Sequence, residues 1–181
     1  MDQRPQSSVG QDVFIADSAV VAGDVMLGDG CTVMHQVVIR ADIARIRIGA
    51  RVNVQDGTII HTPHGVDMEI GDDVGIGHRA VVHGRRIGAR TLIGIGAIVL
   101  DHCEIGSRCI VAAGAVLTPG TVVPDGKVVM GTPGRVVREV GQRDLEAIDH
   151  VVRSYLELGA RYRAGEFASR SGPGGFAARG R

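Results

Sequence analysis

Three histidines, His61, His78 and His83, lie in the stretch NVQDGTIIHTPHGVDMEIGDDVGIGHRAVVH, from Asn53 to His83. Neutral imidazole is the commonest protein ligand for transition metals. Two imidazoles on adjacent strands can share one ion, because Zn–N bonds are about 2.0–2.1 Å long. A metal held by three protein ligands keeps a fourth position for water, which marks a catalytic rather than a structural site. Such chemistry needs a scaffold that brings the rings together, and the surrounding sequence supplies one.

An aliphatic residue recurs at every sixth position from Ile15 through Val21, Leu27 and Val33 to Ile39. Three extra residues precede Ile48, Val54 and Ile60; a longer insertion, Thr62 to Glu69, precedes Ile70, Ile76 and Val82; a one-residue deletion brings in Ile87. The period then runs unbroken through Ile93, Val99, Ile105, Val111, Leu117, Val123 and Val129, nineteen hexads in all. A period of six is neither helical nor a simple alternation, so the unit is a short strand plus a corner. The aliphatic side chain points inward and its neighbours outward, while the small residues that follow it, such as Gly49, Gly71, Gly77 and Gly94, are expected to let the chain turn. At three hexads per coil this predicts an all-β solenoid of about six coils over residues 11–136, stacked roughly 4.8 Å apart.

Residues 1–10 read as an N-terminal extension. After Val136 the spacing changes: Leu145, Ile148, Val152, Tyr155 and Tyr162 fall at helical intervals, so residues 137–164 hold an amphipathic helix packed along the prism or against a partner. Residues 165–181, rich in Gly and Arg, read as a disordered tail. With 3% aromatic residues and 27 glycines, the core must be stacked Val, Ile and Ala rather than large rings. Twenty basic and twenty acidic residues remove the bias that a phosphate-tracking surface needs, so nucleic acid is not an expected partner. MDQRPQSSVG lacks a leader's apolar core and no run of about 18 apolar residues occurs, which predicts no membrane partner. Cys31, Cys103 and Cys109, without CxxC spacing, suit free thiols in a reducing cytoplasm.

The hexad register says which side chains stack. Hexads opening at Ile39, Ile60 and Val82 share one face, and their second residues are Arg40, His61 and His83. Hexads opening at Val33, Val54 and Ile76 share the adjoining face, and their third residues are His35, Asp56 and His78. His61 and His83 are therefore outward neighbours about 5 Å apart at the backbone. Adjoining faces of a convex prism diverge, so His78 points away from this pair and toward that of another chain. A metal site built from all three lies at a subunit interface, and three prisms around a threefold axis would carry three of them. His35, His102 and His150 read as surface or interface residues.

The repeat resembles that of hexapeptide-repeat proteins, which implies that the solenoid is a left-handed parallel β-helix. Arg40-Ala41-Asp42, Asn53-Val54-Gln55-Asp56-Gly57, His61, and His78 followed by His83 resemble the ordered motif set of the gamma-class carbonic anhydrases, over roughly residues 11–163. The resemblance implies a lyase: a homotrimer binding zinc, or alternatively ferrous iron or cobalt, through His61 and His83 of one subunit and His78 of the next. It also implies reversible hydration of carbon dioxide to bicarbonate by a hydroxide generated on the metal. Gln55 matches the residue that orients the hydroxide, Asn53 a residue lining the carbon dioxide pocket, and Arg40, Asp42 and Asp56 an ion-pair set that ties subunits together. Active members of the family carry a proton-transferring Glu after the Asp of Arg-x-Asp, where this chain has Ile43, and another in an acidic loop that is shorter here. His64 in that loop and Tyr155 on the helix are the candidates to move the proton instead.

Two other functions use the same solenoid. A hexapeptide acyltransferase or thioesterase acting on acyl-CoA needs one catalytic His and no metal, and such enzymes often end in a Gly-x-Pro segment like Gly131-Thr132-Pro133. A non-catalytic metal-binding homologue keeps the fold without the reaction. The stacked pair His61 and His83 is what a single-base mechanism does not require.

Overall fold

The computed structural model describes residues 7–167, so the tail from residue 168 onward lies outside the described residues. The chain is a left-handed parallel β-helix of about seven turns followed by one helix, α1, Gln142–Arg163. Its rungs pair in the register that the hexads predict: Ile39 with Ile60 and Ile60 with Val82, Val33 with Val54 and Val54 with Ile76. The turn count exceeds the expected six because the register starts earlier. Val9, six residues before Ile15, pairs with Leu27, so strand Ser8–Val9 belongs to the solenoid although it falls in the stretch read as an extension.

The inward aliphatics fill the prism with no large rings: Ile39, Ile60, Ile76 and Ile93 are completely buried. The residue four places past the aliphatic is buried in many coils as well, including Cys31, Thr58, Thr91, Cys103 and Cys109. Thr58 and Thr91 keep their hydroxyls there by donating to the carbonyls of Gly77 and Gly106, at 3.0 and 2.9 Å. All three cysteines are free, and burial pushes the Cys31 thiol up to about 11.

The glycines act differently from expectation. The left-handed corner conformation falls three residues past the aliphatic, at Arg51, Asp73, Arg79, Arg90 and Gly96 among others, so it is often taken without glycine. The glycines directly after the aliphatics serve close approach instead: a Cβ on Gly77 would lie 2.6 Å from the amide nitrogen of Ile95, and one on Gly71 2.7 Å from that of Ala89. The extra residues before Ile48 are absorbed by the long strand Val38–Ile48, which with Val20–Leu27 rounds a corner and joins two faces in one sheet.

Each face has its own outer covering. The face of Phe14, Thr32, Asn53 and Gly75 lies under α1, where Ile148 and Val152 are buried and Tyr162 stacks on Phe14 with ring centroids 4.7 Å apart. On a second face the outward column preceding the aliphatics runs Met26, Arg47, Glu69, Arg86, Glu104, Val122, and its four central residues alternate in charge. On the third, which carries the histidine pair, that column is Val20, Val38, Ile59, Val81, Ile98, Val116, and among the described residues α1 packs on the first face instead. At the end, Lys127–Met130 pairs antiparallel with Arg135–Glu139 across the turn at Gly131, Thr132 and Pro133. That hairpin crosses the boundary at Val136 where the periodicity ended. No helix among the described residues is long and apolar enough to cross a membrane.

Helix α1 starts where Asp144 accepts from the Gly141 amide at 2.8 Å and from the Arg138 guanidinium at 2.9 Å. First Arg138 and then the amide hold its carboxyl down, at about 2 against an ordinary 3.8. The stability that this contributes is complete above the unfolded value and is lost as pH falls through the folded one. Asp144→Asn should therefore lower stability at neutral pH, and the gap to wild type should close between about pH 4 and pH 2 when urea midpoints are compared. Gly77→Ala should cost about 1–3 kcal/mol in the same assay, because a packed backbone must shift. Arg79→Gly, at a φ of 56°, should stay within about 1 kcal/mol of wild type, since glycine adopts that φ freely.

Candidate metal centre

His61 follows Ile60 and His83 follows Val82, so the ladder sets the two imidazoles one above the other on the third, apolar face. Their ring centroids are 5.1 Å apart, and His61 Nδ1 faces His83 Nε2 at 3.0 Å. The outer nitrogen of each ring meets a carboxylate: His61 Nε2 lies 3.1 Å from Asp42 Oδ1, and His83 Nδ1 lies 2.6 Å from Asp101 Oδ1. Arg40, 2.5 Å from Asp42, holds the Asp42 carboxyl below the usual carboxylate range, with a further contribution from His61; hydrogen bonding from His83 does the same for Asp101. Ionised carboxylates only accept, so the outer nitrogens carry the N–H and the inner ones carry lone pairs. Two lone pairs facing at 3.0 Å repel unless a cation stands with them.

A metal ion fits that donor chemistry. Histidine ligands typically donate their other N–H to a carboxylate, which fixes the tautomer and raises basicity. Two nitrogens on one tetrahedral zinc stand about 3.3 Å apart, given bonds of about 2.0–2.1 Å, close to the spacing here. Within the described residues of one chain, no group of three or more His, Cys, Asp or Glu is arranged to hold a metal, so the set stops at the pair.

His78 is on the adjoining face, as the register requires. Its Nδ1 lies 3.0 Å from Asp56 Oδ2, and its Nε2 lies 3.4 Å from the Tyr155 hydroxyl on α1. It repeats the pattern of the pair: one nitrogen on a carboxylate and one left as a donor atom. Asp56, expected in an ion-pair set with Arg40 and Asp42, faces His78 instead, while Arg40 and Asp42 pair with each other. Gln55 and Asn53 lie on the His78 face beneath α1 rather than beside the pair; both are buried, and Gln55 Nε2 donates to Asn53 Oδ1 at 3.0 Å. The Asn53 amide nitrogen has no partner among the described residues. Tyr155 likewise serves His78, not the pair.

His64 stands exposed in the turn between His61 and Met68 and makes no hydrogen bond to either ring among the described residues. The loop opens toward the charged face, where Gly65, Val66 and Asp67 line a cleft with Arg85, Arg86 and His102; none of the three histidines borders it. Sequence reasoning missed Asp101 and the apolar column. The column was visible as the doublets Val20-Val21, Val38-Ile39, Ile59-Ile60, Val81-Val82 and Ile98-Val99, all on one face.

Residues 6–159 match the family model described as dynactin subunit 5. A probable carbonic anhydrase of Methanocaldococcus jannaschii is 40% identical over 150 residues, covering 83% of this chain and 94% of that protein. The chain belongs to the hexapeptide-repeat family of that model and of the gamma-class carbonic anhydrases. A further member, gamma carbonic anhydrase 2, mitochondrial, of Arabidopsis thaliana, is 34% identical over 156 residues, or 83% of this chain. The chain spans only 56% of that plant relative's length. Among solved structures, a hexapeptide transferase family protein from Anaplasma phagocytophilum superimposes with a TM-score of 0.82 at 31% identity, covering 86% of this chain and 92% of that one. The gamma-class motifs are thus carried on a fold shared with transferases.

Proposed function

We propose that this chain forms a homotrimer with a metal site at each interface, built by His61 and His83 of one subunit and His78 of the partner subunit, and that it interconverts carbon dioxide and bicarbonate. The observation that carries this reading is the facing of His61 Nδ1 and His83 Nε2 at 3.0 Å, with the outer nitrogens bound to carboxylates. Zinc, or alternatively ferrous iron or cobalt, is the cation these imidazoles suit. When bound, such a metal lowers the pKa of water from 15.7 to about 7 and so supplies a nucleophile at neutral pH.

The remaining work falls to side chains. Asp42, Asp56 and Asp101 hold the three imidazoles in the tautomers that leave a nitrogen free. Gln55, beside Asp56, is carried to the site with His78 and retains its side-chain carbonyl and a second N–H to orient the nucleophile. Asn53 accepts from the Gln55 amide and keeps an unpartnered amide nitrogen among the described residues, as a residue lining the carbon dioxide pocket. Tyr155, at His78, stands nearer the ligand set than His64, and its hydroxyl would relay a proton by giving up its own as it takes one. Because the exposed Ile43 replaces a carboxylate, proton release depends on buffer. The outward column of Val20, Val38, Ile59, Val81, Ile98 and Val116 supplies the apolar contact for the trimer on the histidine face. Three buried free thiols fit a cytoplasmic home.

The likeness to a hexapeptide transferase favours a second reading, acyl transfer or thioester hydrolysis on acyl-CoA with one histidine as base. The match to dynactin subunit 5, with Ile43 in place of a carboxylate, favours a third, a non-catalytic metal-binding homologue. Anaerobic purification followed by metal analysis and stopped-flow hydration separates them. The proposal expects about one metal per subunit, hydration that rises with imidazole buffer, and loss of metal and activity in His83→Ala. Wild-type protein without metal sinks it, and metal without hydration at any buffer concentration favours the third reading. Val81→Glu should yield folded monomers in analytical ultracentrifugation that retain circular dichroism but bind no metal; an intact trimer would remove the apolar column from the interface.

A further inference from the structure

We infer that Asp101 is a positioning residue of the metal site: its carboxylate keeps the His83 proton on Nδ1 and so leaves Nε2 as the ligand nitrogen. The inference rests on the proposed reading of His61, His78 and His83 as one ligand set. Asp101 lies on the rung after His83, two residues past Val99, which pairs with Val82. The ladder that places the ring therefore also places its acceptor. The 2.6 Å separation is the shortest contact to a ring nitrogen made by any of the three histidines. Asp42 shares its charge with Arg40, whereas among the described residues His83 is the only side chain bonded to Asp101.

The undivided charge matters because a free histidine side chain favours the opposite tautomer, with the proton on Nε2. In that state the nitrogen aimed at His61 would be a donor and could not ligate. Asp101 opposes that preference with a charge-assisted hydrogen bond, and by withdrawing the N–H proton it makes Nε2 more basic. A carboxylate in this relation to a metal-bound histidine is typically worth about 10–100-fold in metal affinity. Asp101 need not touch substrate or metal to do this. Its effect passes through the ring.

The test combines tautomer and affinity in wild type, Asp101→Ala and Asp101→Asn. Nitrogen-resolved NMR of the metal-free proteins, above the histidine titration range, reads which nitrogen of His83 carries the proton; competition with a chromophoric chelator reads zinc affinity. Expected are an Nδ1-protonated ring in wild type, a shift to Nε2 in Asp101→Ala, and zinc binding weakened about 10–100-fold with the thermal midpoint and oligomeric state preserved. Asp101→Asn, isosteric and neutral, should also weaken zinc and serves if the alanine variant does not fold. An unchanged tautomer, or zinc affinity within about twofold of wild type, overturns the role of Asp101. Wild-type protein that binds no zinc overturns the metal reading instead, and the NMR measurement distinguishes the two failures.

Discussion

The whole molecule depends on one ladder of backbone hydrogen bonds. Each rung donates to the next at a fixed register: Gln55 N–H to Ile76 at 2.9 Å, Gly77 to Ile93 at 2.8 Å, His83 to Val99 at 2.8 Å. A residue's place in its hexad therefore decides its surroundings, and residues of one place form a column. One column is the core, another fills the corners, and the outward ones are free to differ from face to face. The small residues after the aliphatics follow from the same spacing, since at Gly71 or Gly77 the next backbone lies where a Cβ would be.

The inward column was legible in the sequence because it tolerates only aliphatic side chains. Once it was counted, the separation of His61 and His83 from His78 followed, and the structure places them so. What the count could not give was reach. Asp101 is a coil away from His83 and diagonal to it, and its contact depends on a side-chain rotamer. Gln55 and Asn53 were readable as outward residues, but both are buried, and the strand of Asn53 lies against a helix whose docking face no repeat encodes. The corners misled for a different reason. Left-handed backbone at Arg51 and Asp73 carries a steric cost without glycine, and a two-point pairing at 2.6 and 2.8 Å between these side chains offsets it. Loop residues such as His64 lie outside the register, and nothing in the repeat fixed their direction.

Each candidate ligand histidine leans on one aspartate, and the three aspartates come from different coils. The imidazoles are thus oriented before any cation is present, and they are oriented by residues that contribute nothing to the core. Stability and chemistry occupy separate columns. A substitution at Asp42, Asp56 or Asp101 changes the outward chemistry of a rung without altering the Val and Ile stack beneath it.

A parallel stack of identical rungs contains no instruction to stop. Any last rung offers the same unpaired amides and carbonyls as the one before, and another copy could continue it, as happens in fibrils. Here the chain turns back on itself after Met130 and lays Arg135–Glu139 antiparallel along the final rung, pinned by Lys127 to Glu139 at 2.6 Å. The exposed edge then runs in the wrong direction for further parallel growth on that face, and three of its five residues are charged. On that face the hairpin ends the ladder, and so closes one side of a fold built by repetition.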